Sequence, residues 1–186
     1  MLADVYGNAV SNCDAASQLE VIARAVQGPS FSLQATAAVV LGKPLSFTAT
    51  TERAGLYSIQ VRILGTPLPG WTLPLLVQPA KAHATACRLR VPAGSSTKPP
   101  IGQQVPVILS TADAFGNARH DSGPNVSPMV MNPGQMESSR ASVKDLEDGQ
   151  YLICFTPDEP GEWVVSAIVD GEEISPGHEV QVRGTS

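Results

Sequence analysis

Long apolar runs, clusters of positive charge and sustained helical periodicity are all absent from this sequence. No window reaches eighteen consecutive apolar residues, and the N-terminus carries no charged stretch followed by an apolar one. Neither a membrane-spanning helix nor a signal peptide is therefore predicted. The 12 Lys and Arg residues are outnumbered by 17 Asp and Glu residues and form no basic cluster, which leaves a formal charge of -5. This balance argues against nucleic acid or an anionic membrane as a partner.

Cysteine is also scarce. Cys13, Cys87 and Cys154 are odd in number and lie far apart, whereas small secreted sandwich domains more often carry an even set of paired cysteines. We expect reduced thiols that are mostly buried. Cys154 alternates with Ile153 and Phe155, so on a strand it lies on the opposite face from these apolar residues and is expected to be partly exposed.

Motifs of catalysis, metal binding and phosphate binding are missing as well. The sequence contains no Gly-x-Ser-x-Gly elbow, no glycine-rich phosphate loop and no His-Glu-x-x-His pattern. None of its histidines has a Cys or His partner at metal-ligand spacing. We therefore expect no catalytic residue, no metal site, no cofactor and no enzymatic activity.

Turn-forming residues, by contrast, are abundant. The chain has 16 Gly and 16 Pro in 186 residues, and no segment sustains an apolar repeat of helical period for four turns. This pattern predicts an all-β protein. The length allows two domains of roughly 90 to 100 residues, each large enough to bury its own core.

Several short motifs occur twice along the chain. "DVYGN" at residues 4–8 is echoed by "DAFGN" at 113–117. Segments 54–80 and 160–184 both begin with a Gly-x-aromatic strand and carry a Pro-Gly before their last strand. Because both copies also keep the alternation of apolar residues that half-buried strands require, the repetition predicts two copies of one β domain.

Seven strands are predicted in the second copy, which is complete. Short alternating segments separated by turn signals at this spacing are typical of an immunoglobulin-like β-sandwich. In the order A to G the strands are "ATACRLRVPAG", "QQVPVILSTADAFGN", "NVSPMVMNP", "RASVKDLE", "GQYLICFTP", "GEWVVSAIV" and "HEVQVRG".

The first copy supplies only strands C to G and the last residues of strand B. A sandwich without strand A and most of strand B exposes the inner faces of its other strands and an open sheet edge. We therefore predict two tandem seven-stranded sandwiches, residues 1–80 and residues 81–186. The first lacks its N-terminal strands, so either the chain starts inside a domain of a longer protein or another strand or domain completes that sandwich. Strands C to G of the first copy are "QLEVIARAV", "FSLQATAAVV", "PLSFTAT", "LYSIQVRIL" and "TLPLLVQP".

Together these motifs resemble the filamin-type immunoglobulin-like repeat. The resemblance rests on "DAFGN" and "DVYGN" after strand B, on "DGQYLICFTPDEPGEWVVSAIVDGEEISPG", and on "LGTPLPG" as its counterpart in the first copy. It covers nearly the whole chain and is more specific in the second copy, since "TERAGLY" replaces the usual Pro-x-x-x-Gly corner in the first. The resemblance implies a spacer and protein-binding module, as in actin cross-linkers, some ubiquitin ligases, ciliary axonemal proteins and gamete-surface proteins.

The repeated Asp-x-aromatic-Gly-Asn motif predicts a sharp turn between strands B and C. Its glycines adopt positive φ, its asparagines tolerate the left-handed region, and its aspartates accept backbone N–H groups. We expect the aromatic residue, Tyr6 or Phe115, to pack the turn onto the end of the sandwich. A Ca²⁺ site is the rival interpretation, but each turn offers fewer than the roughly six oxygen ligands this ion requires. The structural turn residues are Asp4, Gly7, Asn8, Asp113, Gly116 and Asn117.

Domains that resemble filamin repeats often bind an extended peptide beside strand C, in the groove between strands C and D. In the first copy, alternation puts Ile22 and Val26 on the outer face of strand C, unless the two faces are swapped. In the second copy Pro128 interrupts strand C and removes a ladder donor, so the first copy is the expected docking site. Its candidate protein-binding residues are Leu19, Glu20, Val21, Ile22, Arg24, Val26, Phe31 and Leu33.

Two functions from different classes fit these features. In the first, the chain is a segment of a large intracellular scaffold of the cytoskeleton or the ciliary axoneme, which the unpaired cysteines favour. In the second, it belongs to the ectodomain of a cell-surface or gamete adhesion protein. Both give it protein partners, either extended peptide segments or neighbouring domains, and neither involves catalysis or membrane insertion. Disulfides or Asn-linked glycans would indicate the second.

Overall fold

Two compact units make up the chain. In the computed structural model they are Met1–Gln78 and Pro79–Ser186, close to the boundary predicted after residue 80. The structure describes residues 19–26, 32–34, 36–38, 46–48, 50–63, 65–96, 98–133 and 140–184. That the units are two copies of one domain stays a prediction from the repeated motifs.

The described part of the first unit consists of antiparallel strands. They are β1 (Leu19–Ala25), β2 (Ser32–Gln34), β3 (Thr36–Ala38), β4 (Ser46–Thr48), β5 (Gly55–Ile63) and β6 (Thr66–Val77). One sheet has the order β2-β1-β5-β6, and β3 pairs separately with β4. The inner face of the larger sheet carries apolar residues of β1 and β5 that are at most 5% exposed: Val21, Ala23, Tyr57 and Val61.

The single strand D predicted over residues 31–40 is two short strands instead. β2 pairs with β1, whereas β3 pairs with β4 in a different sheet. This short segment therefore leaves one sheet and joins the other, so that it contributes an edge strand to each of the two sheets. The prediction of one continuous strand was therefore wrong, and the change bears directly on the expected docking groove, because β2 lies along the edge of β1.

β5 and β6 form a long hairpin. Ile63 pairs with Thr66 across a two-residue turn in which Gly65 has a φ of 74°, as turns of this length require. β6 therefore begins at Thr66 and not at Thr72, where strand G was predicted. Most of "LGTPLPG" belongs to this strand and not to a loop before it.

The second unit is a two-sheet sandwich preceded by a short 3-10 helix, Ala84–Ala86. Its strands are β7 (Arg88–Arg90), β8 (Val105–Ser110), β9 (Val126–Met131), β10 (Ala141–Asp145), β11 (Gln150–Phe155), β12 (Gly161–Val169), β13 (Glu172–Glu173) and β14 (His178–Val182). One sheet has the order β10-β11-β8-β7; in the other, β12 pairs with β9, β13 and β14. This matches the A-B-E-D and C-F-G sheets of immunoglobulin domains, so the predicted immunoglobulin-like sandwich is confirmed.

The short strand β13 was not predicted. Asp170 and Gly171, which follow β12, have φ values of 50° and 91°. Two consecutive positive φ values are the signature of a type I′ hairpin turn, and Asp-Gly is a preferred pair for it. The turn folds β13 back onto the end of β12, where Val169 pairs with Glu172.

The core of the second unit follows the two-residue period of its strands. Buried and half-buried residues alternate along β8 and β11, so every second side chain points between the sheets. Trp163 of β12 is fully buried beside Phe155 of β11, with ring centroids 5.8 Å apart. Burying each large apolar side chain of this kind stabilises the fold by about 1.5–3 kcal/mol. The core includes Val105, Val107, Leu109, Val130, Tyr151, Ile153, Phe155, Trp163, Val165, Val169, Val180 and Val182.

Gly149 lies just before β11, where the chain that follows β8 crosses it. Its carbonyl oxygen accepts hydrogen bonds from the N–H of Thr111 at 3.0 Å and from Thr111 Oγ1 at 2.8 Å. Its φ is 78°, and a Cβ here would collide with the backbone carbonyl of Arg119. We expect Gly149→Ala to lower the free energy of unfolding by about 2–4 kcal/mol, because it adds backbone overlap to the strain of positive φ. Urea denaturation followed by circular dichroism measures the loss.

Gly102 provides the matched control for this substitution. It has the same φ of 78°, but nothing lies within 4 Å of a Cβ built on it. Gly102→Ala is therefore expected to cost only the conformational strain, about 1–2 kcal/mol. Equal losses in the two variants would contradict the close approach of Arg119 to Gly149.

Candidate protein-binding edges and the Asp113 turn

The predicted docking strand of the first unit is β1. Its burial follows the predicted phase: Val21 and Ala23 are buried, while Glu20, Arg24 and Val26 are exposed, Val26 by 54%. Ile22, between the buried pair, is half-buried on the outer face. Core residues of this strand therefore alternate with residues of the outer face, which are both charged and apolar. A partner can reach this outer face.

The outer edge of β1, however, already has a neighbour. β5 pairs with one side of β1 from Leu19 to Ala25, and β2 pairs with the other side from Ile22 to Arg24. Leu33, predicted to lie across a groove, pairs directly with Ala23. Phe31 lies outside the described residues. An incoming strand at this edge would have to replace β2.

In the second unit, the edges of β9 and β10 lie side by side. β9 pairs with β12 and β10 pairs with β11; among the residues that the structure describes, neither has a strand on its other side. The two strands come within 8 Å of each other, Cα to Cα. Pro128 does not interrupt β9 as predicted: it lies opposite Ala167, and the pairing continues on both sides of it. Edge strands accept proline when its nitrogen faces away from the ladder.

Val143 lies in the middle of β10, the strand that borders the gap between these two edges on one side. It pairs with Ile153 of β11, which is fully buried, so both side chains are on the inner face of their sheet. Val143 is nevertheless 39% exposed. An inward-facing valine that solvent reaches indicates that the sandwich is open along this side; we call the opening the β9–β10 groove.

A shallow, open depression of about 530 Å³ lies where β10 begins and β11 ends. Its lining is mostly polar and carries charges of both signs, Arg140 and Asp158, with the half-buried Cys154 between them. Sites that enclose small molecules are deeper and more apolar than this. The depression therefore has no character of a small-molecule site.

The second copy of the repeated turn is organised by one buried carboxylate. Asp113 is 1% exposed, and its Oδ1 accepts the N–H groups of Phe115 and Asn117, each at 3.0 Å. The amide Nδ2 of Asn117 donates to both carboxylate oxygens, at 3.0 and 2.8 Å. Gly116 has a φ of 82°. This pattern explains why Asp, Gly and Asn occupy these three positions of the motif.

Two details of the predicted turn were wrong. Phe115 is 57% exposed, so its ring does not pack onto the sandwich. The hydrogen bonds to the Asp113 carboxylate hold the turn in place without it. Asn117 is not among the described residues with positive φ; its role is to donate its side-chain amide to Asp113. Asp4, Gly7 and Asn8 lie outside the described residues.

The same carboxylate also fixes the chain that enters the second unit. Oδ2 of Asp113 accepts the N–H of Ala80 at 3.0 Å, and Arg119 Nη1 donates to the carbonyl of Ala80 at 2.6 Å. Burial raises the pKa of the Asp113 carboxyl, but the hydrogen bonds from Asn117, Ala80 and Phe115 outweigh it, and the pKa lies below its ordinary value. Asp113 is therefore ionised at neutral pH and stabilises the fold as a carboxylate.

The residues that the structure describes contain neither a metal-ligating cluster nor a membrane-spanning helix. No three His, Cys, Asp or Glu side chains in those ranges lie close enough together to hold a metal ion. Within the same ranges, no helix is long and apolar enough to cross a membrane.

Comparison with known proteins gives likenesses of structure only. No protein-family model matches the chain, and no curated protein matches it. InvD of Yersinia pseudotuberculosis is similar over 99% of this chain and 50% of its own, at 18% identity and a TM-score of 0.53. FdeC, an Escherichia coli adhesin, is similar over 97% of this chain and 57% of its own, at 19% identity and a TM-score of 0.52.

The filamin domain of Lin-41 is similar over 56% of this chain and 98% of its own, at 20% identity and a TM-score of 0.45. The chain spans about half the length of the two bacterial structures. Likenesses at this identity concern the fold. Together with the strand order of the second unit, the two bacterial structures lead to one conclusion: this chain has the immunoglobulin-like β-sandwich fold that its resemblance to filamin-type repeats predicts.

Proposed function

We propose that this chain is a non-catalytic spacer and protein-binding module that binds extended segments of partner proteins by strand addition. The observation that carries the proposal is the β9–β10 groove, where two strand edges flank the exposed, inward-facing Val143. A strand added along β9 pairs with its free main-chain groups, which supplies affinity, and places alternate side chains in the groove, which supplies specificity. Pro128 restricts the register, because it offers no donor to the added strand.

The edge of β1 is the second docking position in this proposal. β2 covers that edge over three residues only, and so short a strand is a weak competitor for a longer one. A partner segment that replaces β2 would run along β1 beside Ile22, with the exposed Glu20 and Arg24 flanking it. The groove residues predicted from the sequence belong to this position.

Substitutions at the two edges test the proposal. We expect Val143→Asp to abolish capture of those partner proteins from the source cells that bind in the β9–β10 groove, because a carboxylate there excludes an apolar side chain of the added strand. Ile22→Asp should remove only the partners that replace β2. Affinity capture with the full chain, read by quantitative mass spectrometry, measures both effects.

Phe115→Asp is the matched control, since it places the same charge at an exposed apolar position of the second unit outside both edges. Thermal melting of each variant shows that the fold persists. If Val143→Asp and Ile22→Asp both retain every partner that the wild-type chain captures, docking at the strand C edges is wrong.

The cellular setting proposed first is an intracellular scaffold of the cytoskeleton or the ciliary axoneme. Cys87 and Cys154 are free thiols, and burial raises the pKa of both, which keeps them protonated and poorly reactive. Unpaired thiols are typical of reducing compartments.

A surface adhesion protein is the second candidate setting, and the likeness to the adhesin FdeC favours it at the level of fold. A disulfide or an Asn-linked glycan on the protein from its source cells would favour this second setting over the first.

A further inference from the structure

β6, at the edge of the first unit, presents apolar side chains to solvent on the face that belongs to the core. Leu75 pairs with Tyr57 of β5, which is 1% exposed, so both side chains lie on the inner face of the sheet. Leu75 is nevertheless 42% exposed, and Leu73, on the same face, is 55% exposed. Exposed leucines on an inward face are costly unless another segment covers them.

The second unit contains an equivalent antiparallel pair, β12 and β14, with its inner face covered. There Trp163 of β12 pairs with Val180 of β14, which is only 3% exposed. The two aromatic residues hold equivalent positions, because each donates a hydrogen bond to the carbonyl four residues earlier: Tyr57 Oη to Arg53 at 2.7 Å, and Trp163 Nε1 to Glu159 at 3.1 Å. Leu75 of β6 therefore corresponds to Val180 of β14.

An extended proline-rich segment provides the cover in the second unit. Pro100 forms a parallel bridge with Arg183, just after β14, and the N–H of Arg183 donates to the carbonyl of Pro99 at 3.0 Å. Pro99 is buried, and Ile101 packs against the core. A short extended segment with two prolines and an isoleucine thus lies beside the end of strand G, joined to it by one isolated parallel bridge.

The corresponding edge of the first unit has no such partner among the residues that the structure describes. Val77 pairs with Gly55 as Val182 pairs with Gly161, so Gln78 takes the place of the donor Arg183. β6 itself carries no charged residue, which favours an apolar segment over a charged one.

We propose that β6 is a second kind of docking edge, which accepts in parallel an extended, proline-containing apolar segment of a partner chain. The segment takes the place that Pro99–Ile101 hold along β14: its backbone accepts from Gln78, and its apolar side chains cover Leu73 and Leu75. This edge lies in a different strand from the two edges proposed above, so either proposal stands if the other fails.

A synthetic peptide with the sequence of residues 95–104, "SSTKPPIGQQ", is the probe. Labelled with fluorescein, it should bind the full chain saturably, as measured by fluorescence anisotropy. Leu75→Lys should weaken that binding at least tenfold, because it puts a charge where the peptide's isoleucine packs. The matched control Phe115→Lys alters an exposed apolar residue elsewhere and should bind as the wild type does. A peptide with lysine in place of its isoleucine should not bind.

Hydrogen exchange locates the bound peptide. Protection of amides 75–78 is expected, whereas protection of β14 alone would mean that the peptide had displaced the second unit's own segment, and would overturn the proposal. So would the absence of saturable binding, or equal binding by Leu75→Lys in a variant that melts like the wild type. The proposal would also be overturned if the wild-type chain associates with itself and Leu75→Lys abolishes that association. The edge of β6 would then bind a second copy of this chain.

Discussion

Trp163→Ala is expected to remove most of the stability of the second unit, with a loss of about 3–5 kcal/mol in the free energy of unfolding. Its ring is fully buried, stacks at a tilt beside Phe155 with a centroid distance of 5.8 Å, and donates Nε1–H to the carbonyl of Glu159 at 3.1 Å. Alanine would leave a cavity between the sheets and an unsatisfied carbonyl at the corner before β12. Guanidinium denaturation followed by far-ultraviolet circular dichroism measures the change.

Phe115→Ala is the control for this substitution, because it also deletes an aromatic ring but at a position that is 57% exposed. It should change the free energy of unfolding by no more than about 0.5 kcal/mol. Comparable losses in the two variants would mean that Trp163 does not occupy the centre of the core.

Asp113→Ala is expected to cost about 3 kcal/mol, because it leaves several partly buried hydrogen-bond donors without their shared acceptor at once. The N–H groups of Ala80, Phe115 and Asn117 and the amide of Asn117 all donate to this carboxylate. Asp121 is the matched control: its side chain is 61% exposed, and its one ion pair, with Arg119, should be worth less than about 1 kcal/mol. Equal effects at the two positions would refute the buried network.

The same residue makes stability depend on pH in a defined direction. Hydrogen bonding holds the pKa of Asp113 below its ordinary value, so its contribution is complete above the unfolded pKa of about 3.9 and declines as pH falls through the lower folded value. Below about pH 4 the wild-type chain should lose stability faster than Asp113→Ala. If the free energy of unfolding falls with decreasing pH equally steeply in the two proteins, Asp113 has the same pKa in the folded and unfolded states.

Most of the second unit could be predicted from sequence, because its strands have a clear two-residue period. Tyr151, Ile153 and Phe155 alternate with half-buried neighbours in the predicted phase, and all three are core residues. The role of Asp113 was accessible for a similar reason, since Asp, Gly and Asn at these spacings have few conformational uses other than a turn.

The parts that sequence reasoning missed depend on contacts between distant segments. Nothing local in residues 31–40 shows that β2 pairs with β1 while β3 pairs with β4, because both short strands have similar propensity. The sequence predicts docking at the first copy because Pro128 lies in strand C of the second, but the effect of this proline depends on which way its nitrogen faces in the sheet. The exposure of Leu73 and Leu75 depends on whether another segment covers β6, and that is a tertiary property.

The most direct test of the central claim is hydrogen exchange of the full chain with and without a captured partner, read peptide by peptide. The account predicts slower exchange in Val126–Met131 and Ala141–Asp145, the two strands of the β9–β10 groove, and no such slowing when Val143→Asp is used. Protection confined to other surfaces of the second unit, with β9 and β10 unchanged and no protection along β1, would contradict strand addition as the way this protein binds.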